Sequence, residues 1–185
     1  MASKHKGKER AVSVDFSFIA DKRLRGDGED ALDFSAYLIS SADEAKEPRY
    51  KEEFYRATVL YVASVIEALC LFLVETKKLS REKIEYKYPQ RLNVEGVSVS
   101  VGELVAAVKI KTPRNLQDLP FAEAIGILRR NNIVPEPLAK DLDSVRIARN
   151  TQHLYGRTDG VMSRKEIQAA FDALSNLLGQ IHKVS

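Results

Sequence analysis

The chain has one cysteine, Cys70, so no internal disulfide can form. Cys70 sits inside the apolar run Leu69-Cys70-Leu71-Phe72-Leu73, where a buried inert thiol is the expectation rather than a nucleophile. Histidine is scarce too. His5, His153 and His182 are scattered, and no carboxylate-rich His/Cys cluster has metal-ligand spacing. Kinase and acyl-transfer signatures are missing. Arg25-Gly26-Asp27-Gly28 reads as a loop without the spacing or flanks of a dinucleotide or phosphate-binding motif. Excess charge is also lacking. The formal net charge is +3, and Lys4, Lys6, Lys8 and Arg10 against Glu9 account for all of it. The rest of the chain is neutral, which excludes a uniformly basic nucleic-acid coat and leaves only a local patch. No signal peptide and no apolar run long enough to span a membrane are read. A cytoplasmic, bacterial protein is the default.

What is present fits one helical domain. A length of 185 residues suffices to bury a core, and shares of 44% hydrophobic and 30% charged residues are those of a globular protein. Residues 1–11 read as a disordered basic tail and 12–185 as a single domain, with 80–120 as an insertion. Val12, Val14, Phe16 and Phe18 alternate with polar residues, which suits a short strand or an extended arm packed on helices. Residues 30–46 form a first predicted helix with Leu32, Tyr37, Leu38 and Ile39 inward. Pro48 breaks the chain before the longest helix, over 49–78. There Phe54, Ala57, Thr58, Tyr61, Val62, Val65, Ile66, Leu69, Phe72 and Leu73 form a wide apolar stripe. Glu67 has Ala63, Ser64, Cys70 and Leu71 as helical neighbours, so it is expected to be partly buried and paired with a cation.

The insertion is the least helical part. Ile84, Tyr86 and Tyr88 alternate, as do Val97, Val99 and Val101, which predicts a small hairpin. Ser100 and Glu103 form a capping-box pattern opening a short helix to about Lys109. Lys109, Lys111 and Arg114 read as a solvated basic loop. Residues 121–131 form another helix, with Ala122, Ile125 and Leu128 inward. A second capping box, Ser163 and Glu166, opens the last helix, along Ile167, Ala170, Phe171, Leu174, Leu177, Leu178 and Ile181.

Between those two helices lies the segment with the most chemistry, residues 142–157. Leu138, Leu142 and Val145 recur at helical spacing and Gly156 is a natural stop. At about 100° per residue, Arg146, Arg149, Asn150 and His153 fall within an arc of about 100°. Guanidiniums hold phosphate oxygens, and an imidazole moves protons near neutral pH. Arg129 and Arg130, at the end of the preceding helix, and Arg157 are further candidates for RNA phosphate contacts.

Arg146 to His153, with six residues between, resembles the signature of the HEPN superfamily: Arg, a gap of four to six residues, then His. Arg149-Asn150 resembles the family's Arg-Asn step. His153-Leu154-Tyr155 resembles the His-x-Tyr ending of a subgroup that pairs with small nucleotidyltransferases. One departure stands out: the polar residue usually follows the arginine counted in the gap, which would make that arginine Arg149, with only three residues between it and His153. Both arginines are therefore carried as candidates. Ser64-Val65-Ile66-Glu67-Ala68-Leu69 resembles the second core helix of the family, with Glu67 as its acidic residue. The resemblance implies an all-α, up-and-down four-helix bundle with a small inserted hairpin. It implies a toxin or anti-phage endoribonuclease that uses no metal or cofactor, with Arg149, His153, Arg146 and Asn150 catalytic. A symmetric homodimer and an antitoxin or nucleotidyltransferase partner are expected, with Tyr155 as the site of regulatory adenylation. The alternative is a non-catalytic helical interaction module or an inactive partner subunit.

Overall fold

The computed structural model describes residues 14–87, 108–151 and 162–184. Among them are five α-helices: α1 (Lys22–Glu44), α2 (Pro48–Thr76), α3 (Phe121–Arg130), α4 (Glu136–Thr151) and α5 (Arg164–Val184). One two-stranded antiparallel sheet, β1 (Lys83–Lys87) with β2 (Val108–Thr112), lies between α2 and α3. The class is all-α, as the periodicity predicts. The organising element is α2, which packs against α1, α3, α4 and α5.

That central position explains α2's composition. Val62, Ala63, Val65, Ile66, Leu69, Cys70, Leu73 and Val74 are all buried. With partners on several sides, a helix becomes apolar over most of its circumference rather than along one stripe. By length and composition α2 could cross a membrane, which the sequence reading did not find. Here those residues meet the other four helices instead. Tyr55 is buried, while Tyr61, expected inward, is exposed. Pro48 occupies the first turn of α2, where its missing N–H costs nothing.

The segment expected to be a loop at Arg25–Gly28 is helical. Asp21 caps α1, its carboxylate accepting from the Arg23 and Leu24 N–H groups at 2.8 and 3.2 Å. Arg25 is held as well, donating from Nε and Nη2 to the Ile19 carbonyl at 3.1 and 2.6 Å. These contacts, together with tertiary packing, override two glycines of low helix propensity. Gly28 passes beneath the Phe16 ring, where a Cβ would lie 3.5 Å from Cζ. Gly26 has no such neighbour: nothing lies within 4 Å of a Cβ built there. Gly26→Ala is therefore expected to stabilise the fold by about 0.8–1 kcal/mol, the helix-interior difference between the two residues. Urea unfolding of the two proteins checks this, and an unchanged or lower midpoint would contradict the assignment of this turn to α1.

The described part of the arm before α1 is packed on the helices and not paired as a strand, and it turns at Ser17–Phe18, where the Ile19 N–H donates to the Phe16 carbonyl at 2.9 Å. Phe16 and Ile19 are buried, and Phe18 lies 5.9 Å from the Phe72 ring and 5.4 Å from that of His182, bridging α2 and α5. Strand β1 forms where Ile84 and Tyr86 alternate, and its partner is β2, in the register Lys83↔Thr112 to Lys87↔Val108. Val108 and Lys109 are thus in a strand rather than at the end of a helix. The rest of that expected helix and the expected strand around Val97–Val101 lie outside the described residues. Lys111 pairs with Glu82 at 3.0 Å, and Arg114 pairs with Glu123. The chain rejoins the core at Leu119 and Phe121, both buried.

The ends of α3 and α5 follow local rules. Asn132 takes φ 56° at the end of α3, and the Ile133 N–H reaches back to the Leu128 carbonyl at 3.0 Å. This is a left-handed helix stop, with asparagine in the place glycine usually fills. At the start of α5 the capping box forms: the Ser163 N–H donates to Glu166 Oε2 at 2.9 Å, and the Lys165 N–H donates to Ser163 Oγ at 3.2 Å. The hydrogen bond from the Ser163 hydroxyl holds the Glu166 carboxyl below its ordinary range.

Candidate functional site

Helix α4 buries Leu138, Ala139, Leu142 and Val145. Continued by one more turn, the row Leu138, Leu142, Val145 arrives at Arg149. A guanidinium thus stands where the stripe would place another apolar side chain. The same substitution occurs on α2, where the row Ala63, Cys70, Val74 has Glu67 at its remaining position. The two exceptions face each other: Arg149 Nη1 lies 2.9 Å from Glu67 Oε2. Both side chains are mostly covered, at 29% and 24% exposure. An ion pair is therefore set into the seam between α2 and α4. The expected cation partner of Glu67 is found, and it is an arginine of the motif.

Burial shapes the neighbourhood of this pair. Cys70, on the same row of α2, is fully buried. Desolvation first, and the nearby Glu67 charge second, push its thiol far above the ordinary range. It stays a neutral, inert thiol, as expected.

The other described motif residues are arranged around α4's flank. Arg146 turns back along its own helix, with Nε 2.7 Å from Asp143 Oδ1. Asn150 is exposed. Arg146, Arg149 and Asn150 thus share one side of α4, one guanidinium tethered across to α2 and the other within its own helix. Asp141, the other aspartate near the motif, lines a groove between α4 and α5 of about 490 Å³.

His153, Tyr155 and Arg157 lie outside the described residues. The residues on either side of that segment are placed. Thr151 ends α4, its hydroxyl donating to the Ala148 carbonyl at 2.8 Å. Met162 is buried against a cluster that includes Tyr55, Val59 and Ile167, and its N–H lies 3.5 Å from Glu52 Oε1. Glu52 also pairs with Arg56, whose side chain is 11% exposed. Sequence reading missed this Glu52–Arg56 pair. A charged i,i+4 pair at the edge of a long apolar stripe was the only signal for it.

Arg129 and Arg130 are not brought to the patch. Arg129 pairs with Glu136 at 3.5 Å, at the first residue of α4, and both are about half exposed. Arg149 is near the other end of that helix, about 20 Å away at 1.5 Å per residue. The two arginines suit the C-terminal end of α3, where cations are favourable to the helix dipole. Among the described residues, no three His, Cys, Asp or Glu side chains cluster as a metal site would require. Comparison of the chain with protein-family models, with curated proteins and with solved structures yields no match.

Proposed function

We propose that the chain is a metal-independent endoribonuclease of HEPN type. The observation that carries this reading is the Arg149–Glu67 pair, 2.9 Å apart across two helices. It supports the reading because it positions a phosphate-binding group four residues before His153, the only histidine in the second half of the chain besides His182. RNA supplies its own nucleophile, so the protein has three tasks: to place the 2′-hydroxyl, to move protons and to stabilise charge on phosphorus. His153 takes the 2′-hydroxyl proton as the 2′-oxygen bonds to phosphorus. The bond from phosphorus to the 5′-oxygen then breaks, and that oxygen takes up a proton. The products are a 2′,3′-cyclic phosphate and a 5′-hydroxyl end. Arg149 and Arg146 balance the charge on the non-bridging oxygens, and Asn150 orients His153 or holds the phosphate. A guanidinium has five N–H donors, more than one carboxylate oxygen can occupy, so Glu67 can position Arg149 and still leave donors for phosphate.

In this reading the protein is a toxin or defence effector restrained by a partner. It acts as a homodimer whose two-fold axis brings a second His153 to the site as the general acid. A specific observation favours the second reading, a non-catalytic interaction module: both motif arginines of the described residues already face a carboxylate, Asp143 or Glu67. One experiment separates the two. RNA incubated with the purified chain in EDTA, at concentrations bracketing its dimerisation in sedimentation, is expected to yield cyclic-phosphate ends whose rate follows the dimer. Intact RNA under all conditions would leave the interaction module, and full activity in a pure monomer would remove the dimeric site.

A further inference from the structure

On the side of α1 facing solvent, the seam with α2 opens into a groove of about 650 Å³. Three aromatic side chains line it: Phe34, 42% exposed, Tyr37, 63%, and Tyr61, 41%. They form an ordered set. The Phe34 ring stacks on Tyr37 at 5.8 Å and 23° between planes, and it meets Tyr61 of α2 edge-on at 4.9 Å and 67°. Phe and Tyr on a two-faced helix ordinarily face the core. On α1 the core positions are taken by Ser35, Leu38 and Ala42, and the aromatics are turned outward.

The charge around these rings indicates what they fit. Asp27, Asp30 and Asp33 line the same groove. Arg23 Nε is 3.9 Å from Asp27, with both side chains open to water, so that pairing is weak. Aromatic faces carry negative potential and attract cations, and the three carboxylates act in the same direction. Exposed rings can also stack nucleic-acid bases, but here the carboxylates would oppose every phosphate that came with the bases. The groove is open rather than enclosed, and its volume exceeds what one side chain needs.

We propose that this groove binds a lysine- or arginine-rich segment of a partner protein, with its cations over the Tyr37 and Tyr61 rings and against Asp30 and Asp33. This is independent of the ribonuclease reading, since the groove has the opposite charge to the arginine patch and lies in the α1–α2 seam rather than the α2–α4 seam.

The test uses the full chain and a labelled peptide of alternating lysine and serine, followed by fluorescence anisotropy at low salt. A peptide of alternating glutamate and serine and a labelled oligouridine serve as the other probes. The lysine peptide is expected to bind and the glutamate peptide not to. Tyr37→Ala should weaken binding by about two- to fivefold, the range of an exposed cation–π contact. Asp30→Asn with Asp33→Asn should weaken it further and flatten its salt dependence. All of these positions are exposed, so thermal melting should be unchanged. Equal affinity in wild type and variants would overturn the proposal, as would oligouridine binding that Tyr37→Ala abolishes. The chain's own tail is the competing occupant. A full-length variant with Lys4, Lys6, Lys8 and Arg10 replaced by serine should bind the peptide as wild type does. Tighter binding by that variant would show the tail in the groove and overturn the assignment to a partner.

Discussion

His153→Ala is expected to lower RNA cleavage by ~10²–10⁴-fold, the usual cost of removing a general acid or base, while leaving thermal melting unchanged. The expectation rests on where the chain puts its proton-transfer groups. His5 is in the basic tail, and His182 is near the end of α5, its ring against Phe18 of the arm. Neither is close in sequence to a pair of arginines. His153 is four residues beyond Arg149 and follows a helix that is fixed by Leu138, Leu142 and Val145 in the core. If a two-fold partner supplies a second imidazole, mixing wild type with excess His153→Ala should suppress activity beyond simple dilution. A purified His153→Ala protein that cleaves at the wild-type rate would sink the catalytic assignment, whatever the fate of the dimer.

Much of the fold was legible because each helix has a simple local signal. Pro48 at the start of α2, the Ser163–Glu166 box before α5 and the apolar spacing of Leu138, Leu142 and Val145 each act within a turn or two. Sequence reading failed where tertiary contacts decide. Gly26 and Gly28 suggest a loop until the Asp21 cap and the Phe16 ring over Gly28 are known. Tyr37 and Tyr61 fit an inward stripe by type, but they are exposed while Ser35 and Thr58 are fully buried. Each of these donates its hydroxyl to a carbonyl of its own helix, Ala31 or Phe54, at 2.8 Å. Hydroxyls satisfied in this way can be buried at no hydrogen-bond cost, and the larger rings stay exposed. The candidate site was legible to a similar depth. Glu67 among apolar neighbours implied a partly buried carboxylate in need of a cation. Nothing local in either helix said that the cation would be Arg149, because that depends on the register of α4 against α2.

On the ribonuclease reading, that register is the ground for choosing between the two arginines. Arg149→Ala is expected to cost on the order of 3–4 kcal/mol of transition-state stabilisation, as the loss of one fixed charge contact does, and more than Arg146→Ala costs. The spacing of the HEPN signature alone would favour Arg146. The packing supports Arg149, because Glu67 holds its guanidinium from another helix, whereas Arg146 is held by Asp143 on its own turn. A charge tethered across a helix seam keeps its place as substrate arrives. Arg146 is as well covered, at 24% exposure, but its i,i+3 partner is on the same helix, where such pairs are worth only ~0.2–0.5 kcal/mol. Glu67→Gln tests the tether itself. It retains an acceptor oxygen but loses the charge that draws the guanidinium in, so turnover should fall while RNA affinity changes little. Arg149→Ala should lower both turnover and stability, since it leaves Glu67 as a mostly covered carboxylate without its partner. Single-turnover rates and melting temperatures for the three variants would separate these roles. Arg146→Ala losing far more activity than Arg149→Ala would reverse the assignment and make the Glu67–Arg149 pair a structural fastener.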